Sequence, residues 1–269
     1  MKNVIDMHVH TSPDVVARKL SDIELAERFR DAEFTGAVIK CHYSDTAPRA
    51  ALLNERYKGM KFFGGITLNR QAGGINPQAV EASAKMGGCY VWFPTMDARH
   101  YLNHRKADAA NGISILDDEG GIIPEALRVL ETAGKYNMLV GTGHMSADEG
   151  MALVRENVKI GCRIVLTHAD NPADFYTVQQ QEEAVSMGAV VEHSYFTIYY
   201  QRTPIELMCE QIRAVGVENV FLSSDLGQPA SPYPDEGLRD FAELIRANGF
   251  SESETRSMFR DTPASLLGI

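Results

Sequence analysis

Long apolar runs are missing from this 269-residue chain. None approaches the roughly 18 residues that a helix needs to cross a bilayer, so no membrane span is expected. The beginning has no leader pattern either, because Met1-Lys2-Asn3 runs straight into a short apolar stretch ending in charged and histidine residues. Cysteine is sparse and scattered: Cys41, Cys89, Cys162 and Cys209 form no CxxC pair. They read as reduced, mostly buried thiols of a cytoplasmic protein, with a nucleophilic role as the lesser alternative. Basic residues are in deficit, 26 against 36 acidic ones, for a formal net charge of -10. Such a surface repels phosphate backbones and anionic lipid, so neither nucleic acid nor a membrane is expected as a partner. A small-molecule ligand in a locally basic pocket stays compatible with that balance, as does a homo-oligomer. Flexible linkers and low-complexity segments are also lacking, which favours one domain spanning 1–269.

What is present is a repeated organisation. Short apolar runs recur at Val4 to Val9, Ala37 to Cys41, Lys61 to Leu68, Cys89 to Phe93, Met138 to Thr142, Arg163 to Thr167, Ala189 to Glu192 and Val220 to Ser223. All eight are short and rich in β-branched or aromatic residues, as buried parallel strands should be. Helical patterns lie between them. Ser21 with Glu24 has capping-box spacing ahead of Leu25, Ala26 and Phe29. Further stretches cover Pro77 to Ala84, Pro124 to Ala133, Ala147 to Val158, Gln179 to Ser186 and Pro204 to Val215. Pro77, Pro124 and Pro204 suit a first helical turn, and Gly87-Gly88, Gly161, Gly188 and Gly216 suit helix ends. Most strand starts are about 25 to 32 residues apart, the spacing of βα units in a barrel. The pattern therefore predicts an α/β protein, a single (β/α)8 TIM barrel. The long gap after the fourth run, Arg99 to Ala110 and then Ile113 to Ile123, predicts an elaborated loop with a turn at Asp118-Glu119-Gly120.

Six of the eight histidines fall on or just after these runs. The first run ends Asp6-Met7-His8-Val9-His10, and alternation along a strand points His8 and His10 the same way, a two-imidazole seat for a divalent metal. Strand two ends with Lys40 and His42 on one face; strands five, six and seven end at His144, His168 and His193, and strand eight at Asp225. A barrel gathers the C-terminal ends of its strands on one face, so these residues should share one site.

This layout resembles the amidohydrolase superfamily over nearly the whole chain. The resemblance implies metal ligation by His8, His10, His144, His168 and Asp225, matching that family's His-x-His, two later histidines and final aspartate. The segments Thr142-Gly143-His144, Ser224 to Gly227 and Thr262 to Gly268 are also similar. The closest likeness is to amidohydrolase-like proteins with a Gly-Gly-x-Asn-Pro loop, here Gly73 to Pro77, and a Trp-x-Pro-Thr strand, here Trp92 to Thr95. That likeness brings a fold and a reaction class but no substrate. One departure stands out. Two-metal members bridge their ions with a lysine or glutamate after strand four, whereas Phe93-Pro94-Thr95-Met96-Asp97 offers only Asp97. Lys40 either bridges as a carbamate or binds a substrate anion, and one or two ions are expected, zinc first, with manganese or iron as alternatives. Asp6-x-His8-x-His10-Thr11 and His42 are also similar to the polymerase and histidinol phosphatase family, which cleaves phosphoesters. That family has a glutamate where Gly65-Ile66-Thr67 has threonine.

The implied reaction is attack of an activated water on an amide, lactone or ester of a small anionic metabolite. Asp225 is the expected general base, with His168 or His193 donating to the developing oxyanion. Asp6 is expected one layer deeper, orienting a histidine. Substrate contacts are expected from His42, Asn69, Arg70, Arg99, His100, His104, Tyr199 and Tyr200, while Met7, Trp92 and Phe93 read as packing. The alternatives are the metal phosphoesterase, a metal-dependent decarboxylase with the same ligands, and a barrel that binds a metal or metabolite without turnover.

Overall fold

Buried apolar runs separated by amphipathic helices leave each strand one way to satisfy its backbone, by pairing with its neighbours while the helices cover the outside. The computed structural model describes residues 2–269 and shows that arrangement. The strands are β1 (Ile5–Val9), β2 (Gly36–Ile39), β3 (Lys61–Phe63), β4 (Gly65–Thr67), β5 (Tyr90–Trp92), β6 (Leu139–Gly141), β7 (Arg163–Leu166), β8 (Val190–Ser194) and β9 (Val220–Ser223). Every paired neighbour is parallel, in two sheets ordered β1-β2-β3 and β4-β5-β6-β7-β8-β9.

The third predicted run is broken into β3 and β4 at Gly64. The cause is Thr46, whose Oγ1 donates to the carbonyls of Ile39 and Gly65 while accepting from the Gly65 amide. β3 thus stays with β2, and Gly64 offers its carbonyl to Cys89 on the β5 side. The opposite seam lies beyond the end of β9. There a Val9–Leu226 bridge forms, the His10 amide donates to Leu226 and the Asp225 amide donates to His8, both at 2.8 Å. This seam brings the end of the first strand against the loop that carries Asp225.

The helical expectations hold in most places. Ser21 and Glu24 form a reciprocal capping box on the helix Asp22–Asp31, and Ser146 with Glu149 does the same for Ala147–Asn157. Gly87, Gly161, Gly188 and Gly216 follow helices with positive φ. Pro204 proves to be the N-cap of Ile205–Val215 rather than part of its first turn. Only Arg99–His104 of the long loop is helical, and the turn near Asp118 is closed by a Leu116–Ile122 bridge. Five helices escaped the sequence reading: Ala47–Arg56, Tyr195–Tyr199, Pro234–Ala247, Glu252–Arg256 and Thr262–Leu267. Ala47–Arg56 and Pro234–Ala247 both carry a proline in the first turn, the same signal as at Pro77 and Pro124, so these two were within reach of the sequence. No helix among the described residues is long and apolar enough to cross a membrane.

Two layers of packing hold the strands. An outer core, including Phe29, Leu130, Ile212 and Phe241, lies between strands and helices. An inner one, built from Ile5, Met7, Val38, Tyr90, Trp92 and Phe221, has Leu266 of the last helix packed into it. Tyr90 and Trp92 stack with centroids 4.0 Å apart, and Met7, Trp92 and Phe93 are fully buried, as expected of packing residues.

Gly227 makes the seam possible. Its φ is +127°, and a Cβ there would lie 1.8 Å from the His10 carbonyl oxygen. Gly227→Ala should destabilise the fold by about 3 kcal/mol, combining backbone strain with a clash against main chain. Gly59→Ala, also at positive φ (+94°) but with nothing within 4 Å, should cost only about 1 kcal/mol. Urea denaturation of both variants checks this; equal losses would mean that the close approach at His10 carries no weight.

Candidate metal centre

His8 and His10, two residues apart on β1 and its extension, turn their imidazoles to the same side. Their Nε2 atoms are 3.3 Å apart, and Asp225 Oδ1 lies 3.1 Å from each. The three donor atoms form a nearly equilateral triangle in a buried place. A cation at tetrahedral angles with bonds of 2.0–2.2 Å sets its ligand atoms about 3.3–3.6 Å apart, so a triangle with edges of 3.1–3.3 Å is close to the spacing that a metal such as zinc needs. The tautomer of His8 agrees. Its Nδ1 lies 2.7 Å from Glu192 Oε1, which also accepts from Ser223 Oγ at 2.6 Å. An Nδ1–H held by a carboxylate leaves the Nε2 lone pair facing the centre, the pattern that orients a metal-binding histidine.

Around this triangle five imidazoles close into a ring. Successive centroid separations are 5.2 Å for His8–His10, 4.9 Å for His10–His42, 5.7 Å for His42–His144, 5.0 Å for His144–His168 and 6.0 Å for His168–His8. A cavity of about 100 Å³ opens among them, bounded by His10, His42, His144, His168 and Asp225. His168 and Asp225 adopt positive φ, +30° and +48°. Non-glycine residues are seldom held there unless their surroundings dictate it, and such strain gathers at functional sites.

The electrostatics divides the histidines into two kinds. Burial drives His10 down to about 3, and it drives His42 and His144 well below the ordinary imidazole range, helped by neighbouring cationic groups. These three are neutral at pH 7 and can lend lone pairs. Burial also opposes a charge on His168, but Asp174 Oδ2 at 3.0 Å from Nδ1 overcomes it and raises the imidazole to about 9. For Asp225, burial disfavours the carboxylate, yet His8 and His10 hold it well below the usual range, so it is ionised. Lys40 is fully buried, its Nζ has no hydrogen-bond partner among the described residues, and burial lowers its affinity for a proton despite Asp225 and Glu192 nearby. It lies 5.3 Å from the Trp92 ring.

Several residues singled out from the sequence sit elsewhere. His193 is buried with Nδ1 at 2.9 Å from Asp170 and does not bound the cavity; Glu192, its neighbour on β8, reaches the centre instead. Asn69 is fully bonded, donating to the His42 carbonyl and Thr95 Oγ1 and accepting from the Thr95 and Asp97 amides. It braces the loops that carry His42. Arg70 donates to the Asn111 carbonyl and Arg99 to Gly112, which ties down the long loop. His100 Nε2 is 2.8 Å from the Ala173 carbonyl, and Tyr199 is exposed. Conversely, Tyr101, Asn171, Phe196, Arg202 and Gln228 bound the cavity without having been anticipated. They come from loops and from two short helices, Arg99–His104 and Tyr195–Tyr199, where no periodicity marks which residues will turn inward. Arg18, also not anticipated, is paired with Asp14 at 2.6 Å; its side chain is nearly buried and its Nη2 has no partner among the described residues. Asp6 takes the deeper place expected; it accepts from the His8 amide at 3.3 Å and, more closely, from Ser224, through the amide at 2.9 Å and Oγ at 2.5 Å.

Comparison with known proteins adds a family. The sequence pattern of the family of unknown function DUF6282 matches residues 3–192. The chain belongs to that family. No curated protein matches the DUF6282 chain in sequence. Solved structures do match its fold. The probable dipeptidase PvdM from Pseudomonas aeruginosa aligns with a TM-score of 0.70 at 9% identity, over 98% of this chain and 94% of that one. The 2,6-dihydroxybenzoate decarboxylase from Rhizobium aligns with 0.61 at 11% identity, over 100% and 99%. The organophosphorus hydrolase from Deinococcus radiodurans gives 0.61 at 13% identity, over 97% and 92%. Further similar structures are named amidohydrolases. The DUF6282 chain thus has the amidohydrolase-superfamily fold, as its sequence pattern suggested.

Asp6 gives a testable pH signature. Burial raises its carboxyl from 3.8 to about 7, against the pull of its hydrogen bonds from Ser224. In the folded chain it therefore keeps its proton where the unfolded chain has lost it. Its contribution to stability is full below pH about 4 and is lost as pH rises through about 7. In chelator-treated protein, the stability difference between wild type and Asp6→Asn should accordingly fall between pH 4 and 7 and level off above. A difference independent of pH would show that Asp6 is ionised throughout.

Proposed function

We propose that the DUF6282 chain is a metal-dependent hydrolase acting on a carbonyl group of a small anionic metabolite. In this reading the two sheets work as one closed (β/α)8 barrel and a single domain, with its reactive face at the strand ends that carry the histidines. The observation that carries it is the buried triangle of His8 Nε2, His10 Nε2 and Asp225 Oδ1. His8, His10 and Asp225 would hold the ion, with His144 bounding the same cavity. When bound, a divalent cation supplies Lewis acidity, which polarises a carbonyl and brings the pKa of water towards about 7.

The protein's own groups account for the rest. Glu192 locks the His8 ring and tautomer. Asp225 is ionised, and its hydrogen bonds run through Oδ1, so Oδ2 is available to take a proton as general base. His168, kept protonated by Asp174, is set to donate towards negative charge developing on the substrate. That assignment makes His168 a donor more than a ligand and leaves His193 with a supporting role. Lys40 is buried near Asp225 and Glu192, whose charges favour its protonated form while burial opposes it. The phosphoesterase reading has less support, since Thr67, at the position where that family has glutamate, spends its hydroxyl on the Cys41 carbonyl.

Metal-loaded protein should be assayed with lactones, esters and amides, with phosphomonoesters, and with aromatic carboxylic acids for carbon dioxide release. Turnover is expected on the carbonyl substrates, and Asp225→Asn should lower kcat by about 10² to 10⁴, the usual contribution of a general base. Metal content should fall less than activity does, because the imidazoles remain. Phosphate release alone would support the phosphoesterase, and carbon dioxide release alone the lyase. An Asp225→Asn protein with wild-type turnover would remove Asp225 from the mechanism.

A further inference from the structure

Beyond the imidazole ring the mouth widens into a second chamber of about 470 Å³. The two cavities share Tyr101, Asn171 and Arg202 and so adjoin one another. The walls of the outer chamber carry Arg105, Arg202 and His104 and no carboxylate. In a chain with 36 acidic residues against 26 basic ones, an acid-free wall with two arginines is a local reversal of sign.

Neither arginine is engaged by the protein. Among the described residues, neither has a carboxylate within 4 Å, and neither side chain donates a hydrogen bond, whereas Arg28, Arg49 and Arg155 are all paired with acids. Both lie over aromatic rings instead, Arg202 at 4.6 Å from the Phe196 centroid and Arg105 at 5.8 Å from Tyr101. Phe196 and Tyr101 also bound the inner cavity. A guanidinium resting on a ring keeps its in-plane N–H groups free, and these match the two oxygens of a carboxylate or phosphate. The backbone at Arg202 is fixed as well, with its amide donating to the Thr197 carbonyl at 2.8 Å just after Gln201 at φ +52°.

We propose that the substrate is two-ended: a reactive carbonyl head enters the histidine ring, and a carboxylate or phosphate tail is held in the outer chamber by Arg202 and Arg105. Only the head rests on the function proposed above; the tail site stands on the chamber itself. Together the cavities are of the size that takes a small metabolite. An acidic protein thereby selects an anion through one basic doorway, and the distance from tail seat to metal centre selects the length of the substrate.

Calorimetric titration with inorganic phosphate and with glutarate tests this without knowledge of the substrate. The proteins are wild type, with and without metal, an Arg105→Gln/Arg202→Gln variant, and a His8→Ala/His10→Ala variant that removes the centre but spares the chamber. Both arginines are exposed, so circular dichroism should find the arginine variant folded. Metal-free wild type and the histidine variant should bind at least one of the two anions alike, and more weakly as salt is raised. The arginine variant should bind it at least tenfold more weakly. The tighter of the two anions identifies the tail as phosphate or carboxylate. Equal binding by the arginine variant and wild type, or no binding of either anion to metal-free protein, would overturn the proposal. Loss of binding in the histidine variant alone would also overturn it, by assigning the anion to the metal centre. A protein that binds anions through its arginines yet takes up no metal would leave this inference standing and remove the hydrolase reading.

Discussion

Three electron-rich atoms, two imidazole nitrogens and a carboxylate oxygen, are held 3.1–3.3 Å apart in a largely buried place. Lone pairs that close repel unless something positive lies between them, and burial raises the cost because solvent cannot screen it. A divalent cation meets the requirement at ordinary bond lengths. Much else in the molecule can be understood as keeping those atoms in place. Glu192 and Ser223 fix the His8 ring, and Ser224, anchored by Asp6, leads directly into Asp225. The seam between β1 and the segment after β9 joins the two halves of the triangle through main-chain bonds.

That support extends outward in a consistent way. Asp174 behind His168 and Asp170 behind His193 repeat the pairing of a buried carboxylate with an imidazole Nδ1 seen at Glu192 and His8. Each such pair sets a ring orientation that packing alone would leave free. The positive φ values at His168 and Asp225 show the main chain bent to the needs of the side chains at two of the ring's edges. On the side facing solvent, the long loop after β5 is tied down by Arg70 and Arg99, and it delivers Tyr101 and Arg105 to the mouth. Binding elements built on loops and braced by strand ends are what this kind of α/β architecture offers.

Much of this was legible in the sequence because it rides on strand periodicity. His-x-His at the end of the first run places two imidazoles on one side whatever the rest of the fold does, and Asp225 follows the last run directly. The histidines after β2, β6 and β7 were findable for the same reason. The reading failed where a single residue of phase matters: β8 continues to Ser194, and Glu192 rather than His193 meets the centre. A carboxylate at the end of an otherwise apolar run was the available signal. Asp174, Arg18, Arg105 and Arg202 lay beyond reach, since loops carry no period from which a direction can be read. The same limit explains why Asn69, Arg70 and Arg99, polar residues in the right loops, turn out to be bonded into those loops.

The proposed chemistry requires the cation. Anomalous diffraction from crystals of metal-supplemented protein, recorded on either side of the zinc absorption edge, tests it most directly. The prediction is one strong site within about 2.0–2.2 Å of His8 Nε2, His10 Nε2 and Asp225 Oδ1, with Glu192 still on His8 Nδ1. An ion bound elsewhere, or a centre with no anomalous density at the zinc, manganese and iron edges after reconstitution, would contradict it.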